Sequence, residues 1–231
     1  MILCFDFGNT RLKYALFDGT RIEETGFIPD LTWDSVRKLL RSHTISQIAI
    51  CSVIEIPSDM LTALRATYPV HLIAKEDAHI RFNQYDPSTL GLDRLMLAEA
   101  CLAEYPQQNC LCLCLGTCIT YNVISASGEF IGGAISPGLQ MRTNAMAHFT
   151  DKLPLISLQA DFIPWGKDTH SSLRAGVMAG AKFEMEGFIK DAKDQFADLQ
   201  IILTGGDAVY FSDRYPVDQD LAWKGLIRLV K

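Results

Sequence analysis

Leu3-Cys4-Phe5-Asp6-Phe7-Gly8 and Leu111-Cys112-Leu113-Cys114-Leu115-Gly116 are two versions of one pattern, an apolar run closed by a glycine. With one gap the match continues, because Thr117 to Ile124 follows Thr10 to Phe17. In both places a second apolar run comes next, then a turn dipeptide, Asp18-Gly19 or Ser127-Gly128, and then a third run, Arg21 to Ile28 or Phe130 to Ile135. Short β-branched and aromatic runs punctuated by glycine read as strand, tight turn, strand, turn, strand. Agreement in all five parts points to an internal duplication.

Working outward, apolar residues at helical spacing (Trp33, Val36, Leu39, Leu40) follow the first meander, with Thr32 or Asp34 available as a cap. A buried strand is predicted over Ile48 to Ile54, a helix from about Ser58 to Thr67, a short strand at Val70 to Ala74, and a helix from Leu92 to Tyr105 ended by Pro106. After the second meander the pattern predicts a helix near Met141 to Phe149, a long helix from about Ser171 to Asp198 and a strand at Ile201 to Thr204. The fold class is therefore α/β, with two related halves, 1–105 and 106–231, and no Pro/Ser-rich linker between them.

Composition narrows the function. The chain has 231 residues, enough for its own core, and a hydrophobic share of 48% places it far from disorder. A formal net charge of −6 argues against a broad surface for nucleic acid, which needs clustered Lys and Arg. No apolar stretch reaches the roughly 20 residues that span a bilayer, so a cytoplasmic protein with no membrane partner is expected. The seven cysteines form no CxxC pair, and Cys110, Cys112 and Cys114 alternate along one strand. They read as reduced core residues rather than as a metal cluster.

Five segments can carry chemistry. Asp6-Phe7-Gly8-Asn9-Thr10 with Lys13 places glycine and polar donors between two strands, where main-chain N–H groups can approach an anion; an ordinary hairpin turn would look similar. Gly91-Leu92-Asp93-Arg94 opens a helix, where Asp93 could merely cap and Arg94 merely face solvent. Gly116-Thr117 sits in the repeated turn, Gly132-Gly133-Ala134-Ile135-Ser136-Pro137-Gly138 could line a pocket or turn a corner, and Gly205-Gly206-Asp207 follows a strand directly. Two strand–Gly–strand turns in related halves would hold the phosphates of ATP from both sides, the logic of actin-like and sugar-kinase phosphotransferases. GxxxxGK[ST], GxGxxG and HExxH are missing, which excludes a P-loop kinase, a Rossmann dehydrogenase and a zincin.

In combination these segments resemble type III pantothenate kinase. The resemblance extends through Leu115-Gly116-Thr117-Cys118-Ile119-Thr120, Lys152-Leu153-Pro154, Gly166-Lys167-Asp168-Thr169, Thr204-Gly205-Gly206-Asp207 and Leu221-Ala222-Trp223-Lys224-Gly225-Leu226, and so covers nearly the whole chain. It implies a duplicated ribonuclease-H-like fold of the actin-like ATPase (ASKHA) type, a homodimer, and ATP-dependent phosphorylation of pantothenate, the first step toward coenzyme A. Carried over, Asp6, Phe7, Gly8, Asn9, Thr10, Arg11, Leu12 and Lys13 form the first phosphate loop, with Asp6 placing Mg²⁺ through water, and Thr117 contacts ATP. Gly91, Leu92, Asp93 and Arg94 hold pantothenate, Asp93 is the catalytic base, and Thr169 touches substrate.

The chain departs from the family at three places. The family's second turn reads Asp-x-Gly-Thr, and that Asp helps bind K⁺ or NH₄⁺; here the position is Cys114, and a thiol is a poor ligand for a hard ion. A later family Asp is Asn122, and Tyr85 lies one residue closer to the Gly-x-Asp-Arg motif than the family tyrosine. Asp6, Lys13, Asp93 and Arg94 favour an active kinase. Cys114 and Asn122 favour an impaired paralogue that binds nucleotide or pantothenate in a regulatory role.

Overall fold

Leu3, Phe5 and Phe7 alternate with Cys4 and Asp6, so the first strand sends its large side chains to one face and small or polar ones to the other. The computed structural model describes residues 1–8, 12–28, 32–160 and 162–231. In it β1 (Ile2–Phe7), β2 (Leu12–Asp18) and β3 (Arg21–Ile28) form an antiparallel meander. β4 (Gln47–Ser52) and β5 (Val70–Leu72) add in parallel, giving the order β3-β2-β1-β4-β5. Leu3, Phe5, Phe7, Leu12 and Leu16 bury against Val36 and Leu40 of α1 (Trp33–Ser42) and Met60 and Leu64 of α2 (Ser58–Arg65). Thr32 caps α1 through its side-chain oxygen, which accepts from the Ser35 N–H at 3.4 Å.

The other face of that sheet carries Cys4, Ala15, Ala49 and Cys51, all fully buried. Small residues let helices approach closely. α3 (Leu92–Glu104) packs on β4, and α6 (Leu221–Arg228) packs on α3 and touches β1. At Gly225 a Cβ would overlap the Met96 carbonyl oxygen of α3, so the contact requires glycine.

The second sheet repeats the first. β6 (Cys110–Leu115), β7 (Cys118–Ile124) and β8 (Phe130–Pro137) form the meander and β9 (Gln200–Thr204) adds parallel to β6, in the order β8-β7-β6-β9. Even the irregularity recurs: the register shifts between Leu16 and Phe17 in one meander and between Val123 and Ile124 in the other, equivalent positions of the repeat. Leu111, Leu113, Leu115, Ile119 and Tyr121 face Leu139 of α4 (Leu139–His148) and Val177, Met178, Ala181, Met185 and Ile189 of α5 (Thr169–Gln195). Cys110, Cys112 and Cys114 alternate with those leucines, as β periodicity requires.

Two compact units result, Met1–Glu104 together with Asp220–Lys231, and Tyr105–Gln219. The expected halves 1–105 and 106–231 therefore need correction at the C-terminal end. The apolar side of α6, Leu221, Trp223 and Leu226, is buried in the first unit, where Gly225 seats it on α3. The helix itself is absent from the sequence-based expectation.

Candidate active site

In the first unit the geometry centres on the end of β1. Asp6 lies opposite Lys13 of β2 on one side and Cys51 of β4 on the other. Burial pushes the Asp6 carboxyl up from its ordinary value, Lys13 opposes that shift, and Asp93 adds to it. The same two carboxylates, after burial, raise the Cys51 thiol. Lys13 and Asp93, far apart in the chain, are thus both brought within electrostatic reach of Asp6.

Asp93 stands exposed in the first turn of α3, with its carboxylate Oδ1 against the Cα of Gly91, where a Cβ would collide with it. A side chain at position 91 would turn the Asp93 carboxylate away from this placement. Its carbonyl accepts the N–H groups of Arg94 and Leu95 at 3.1 and 3.0 Å and so starts the helix. Arg94 is buried, and its Nη1 donates to the Tyr85 hydroxyl at 3.3 Å while its guanidinium lies 5.9 Å from that ring's centre. Tyr85, shifted by one residue in sequence, is therefore a partner of the motif in space.

Phe7 and Leu12 are core residues, so any part they take in anion binding comes from their main chain. Asn9, Thr10 and Arg11 lie outside the described residues. Gly8 follows β1 directly, and Leu92 is half-buried at the start of α3.

The second unit builds its own glycine-lined turn. Gly116 donates its N–H to the Cys118 carbonyl at 3.0 Å, and Thr117 is exposed at the tip. Gly138 donates its N–H to the Thr117 carbonyl at 3.1 Å and is packed so closely that a Cβ would overlap the Gly116 and Thr117 oxygens. Gly205, with φ of 91°, lies against the Leu115 main chain in the same way. Asp207 lies two residues on, and burial pushes its carboxyl up from its ordinary value. Main chain from the ends of β6, β8 and β9 therefore converges at one edge of the sheet, where ligands of open α/β sheets bind.

Cys114 occupies the place of Asp6. Its register partners are Thr120 and Thr204, where Asp6 has Lys13 and Cys51. Asn122 is fully buried, and its Nδ2 donates to the Cys112 carbonyl and to Thr120 Oγ1, both at 3.3 Å. Thr169 is exposed as the first residue of α5, capped by Asp168, and lines a cavity of about 350 Å³ with Met146, Leu153, Ser172, Leu173 and Gly176.

A family model for type III pantothenate kinase matches residues 2–191. The chain belongs to this family. The type III pantothenate kinase of Flavobacterium johnsoniae is 36% identical over 217 residues, covering 93% of this chain and 89% of that protein. That of Bacteroides fragilis is 34% identical over 241 residues, covering 100% and 97%. Among solved structures, a conserved Baf-family protein of Campylobacter jejuni superimposes with a TM-score of 0.66 at 20% identity, covering 98% of this chain and 96% of that one. A glucokinase from an Antarctic psychrotroph gives 0.51 at 12%, covering 98% and 97%. These likenesses carry the fold alone, an α/β architecture in which each of two units holds a three-stranded meander extended by parallel pairing.

Within a type III pantothenate kinase framework, two features had no signal in the sequence. The contact of Tyr85 with Arg94 depends on a loop path, and the ion pair of Arg142 with Glu184 links helices far apart in the chain.

Proposed function

We propose that the chain is an ATP-dependent pantothenate kinase that makes 4′-phosphopantothenate, the first step toward coenzyme A, and that Asp93 is its catalytic base. The observation that carries the assignment of the base is the placement of Asp93, exposed at the start of α3 and within electrostatic reach of Asp6, the carboxylate that faces Lys13. The pantothenate hydroxyl oxygen forms a bond to the γ-phosphorus, the bond from that phosphorus to the β,γ-bridging oxygen breaks to release ADP, and the hydroxyl proton passes to the Asp93 carboxylate. Lys13 and the main-chain N–H of Gly8 meet the growing phosphate charge, and Thr117 contacts ATP. In the first unit Gly91, Leu92 and Arg94 hold pantothenate, and Arg94 suits an anionic group because Tyr85 fixes its guanidinium; Thr169 is the substrate contact proposed for the second unit.

The donor set at Asp6 fits Mg²⁺. Burial and the neighbouring Asp93 both disfavour a bare charge there, and a hard divalent ion takes carboxylate and water oxygens. Such an ion supplies charge neutralisation of the phosphates, and Asp6 would hold it through water. The set around Cys114 does not fit K⁺ or NH₄⁺. It offers a thiol between two threonines, and Asn122 already donates to one of them.

Exposed apolar side chains in the second unit support a homodimer, with Trp165 83% and Phe149 81% accessible and Leu155 and Ile163 beside them in the chain. A cytoplasmic location accords with the absence, among the described residues, of any helix long and apolar enough to cross a membrane. The deciding experiment assays purified protein for ATP-dependent phosphorylation of pantothenate, with and without K⁺ or NH₄⁺. Turnover is expected in both; nucleotide binding without turnover under any cation would overturn the assignment.

A further inference from the structure

Glu184 lies on α5, outside every segment singled out above, yet three donors from three other elements converge on it. Its Oε1 accepts from the Tyr121 hydroxyl of β7 at 2.8 Å and from Ser136 Oγ of β8 at 2.5 Å, and its Oε2 accepts from Arg142 Nη2 of α4 at 2.5 Å. Burial opposes ionisation of this carboxyl, but the hydrogen bonds from Ser136, Arg142 and Tyr121 outweigh it and hold its pKa below the ordinary value. Arg142 uses a second edge of its guanidinium as well, with Nε donating to the Pro137 carbonyl at 2.8 Å. The fork is therefore fixed at both ends.

The residue after Pro137 is Gly138, whose N–H holds the Thr117 carbonyl and whose Cα is pressed against the Gly116–Thr117 main chain. Ser136 and Pro137 are thus pinned by the ion pair immediately before Gly138, the residue that packs on that turn. From this geometry we infer that Arg142 and Glu184 are positioning residues for the Gly116–Thr117 turn, setting the affinity for ATP without touching it. The inference rests on the reading of Thr117 as an ATP contact. A misplacement of that turn weakens contacts to the nucleotide, whereas pantothenate is held by groups on α3 and by Thr169, about four turns along α5 from Glu184.

A mere staple of the second unit would lower thermal stability and leave ligand affinities alone. The test therefore measures Kd for a fluorescent ATP analogue, KM for ATP and for pantothenate, and Tm, using the full chain. Arg142→Met keeps the aliphatic stem and removes both ends of the fork. It should raise Kd and KM for ATP on the order of tenfold, the effect of one hydrogen bond of ordinary net strength, and leave the pantothenate KM within about twofold. Arg142→Lys keeps the charge near Glu184 but not the planar fork, so it should restore only part of the ATP affinity. Should Arg142→Met fail to fold, Glu184→Gln, which keeps the shape, gives the same readout. A lowered Tm with unchanged ATP Kd, or parallel rises in both KM values, would overturn the positioning role. Weakened ATP-analogue binding in a protein whose wild type never phosphorylates pantothenate would instead support the positioning role and remove the kinase assignment.

Discussion

At equivalent points of the duplicated meander, Asp6 faces Lys13 across one strand pair and Cys114 faces Thr120 across the other. Both charges of the first pair are absent from the second, so the second site is neutral as a unit rather than stripped of a counter-ion. A neutral thiol and hydroxyl give a hard monovalent cation little to bind, and turnover should be nearly the same in K⁺ and in a bulky organic cation. Cys114→Asp should create a K⁺ response, seen as an increase in kcat or a fall in the ATP KM with added K⁺. Strong K⁺ activation of the unaltered protein would show that other oxygens hold the ion. Asp93→Asn should lower kcat by about 10² to 10⁴, the usual contribution of a general base, with the Kd for nucleotide nearly unchanged; retained turnover would remove Asp93 from that role. These residues were legible because the glycine-flanked segments, each ambiguous alone, occur together in the order of the family they resemble. The contact of Tyr85 with Arg94 was not, since it is made by the path of a loop and not by a repeating pattern.

Elements with strong periodicity were read within a few residues: the predicted Ser171 to Asp198 helix is α5 at Thr169–Gln195, and the Leu92 to Tyr105 helix is α3 at Leu92–Glu104. α6 escaped because it is 8 residues long with a glycine inside, a poor helix by propensity that tertiary packing stabilises. The same glycine that hides it explains why it forms where it does. With a Cβ at Gly225, the helix would meet the Met96 carbonyl and come within 3.1 Å of the Ala100 nitrogen, both main chain and unable to yield like a flexible side chain. Gly225→Val should therefore destabilise the first unit by about 1–3 kcal/mol or more, as overpacking does. A lower urea midpoint, with earlier loss of hydrogen-exchange protection in α3, would register it; an unchanged midpoint would mean that α6 is free to move away.

At the scale of the whole molecule, the duplication was visible because each half writes it in local sequence, but the return of the chain's last residues to the first unit was not. That return is held by pairing across long stretches of chain. Lys224 meets Glu104 at 3.1 Å, Arg228 lies 3.7 Å from the fully buried Glu99, and Lys231 pairs with Asp77 at 2.5 Å. Asp77 also accepts from the Ala74 N–H at 2.9 Å and lies 2.8 Å from His71 Nε2. Burial alone would raise this carboxyl, yet the bonds from Lys231, Ala74 and His71 prevail and bring it down from 3.8 to about 2. A carboxyl whose pKa is lower in the folded protein than in the unfolded chain stabilises the fold above the unfolded value, and that contribution disappears as pH falls through the folded one. Stability of the first unit should therefore decline between about pH 4 and about pH 2 partly through Asp77. Asp77→Asn should be less stable than the parent at neutral pH and show a shallower decline across that window in urea unfolding. Added salt should narrow the neutral-pH difference, because Lys231 is largely exposed and its charge is screened. Equal slopes for the two proteins across the acid window would mean that the Asp77 cluster does not fasten the C-terminal segment to the first unit.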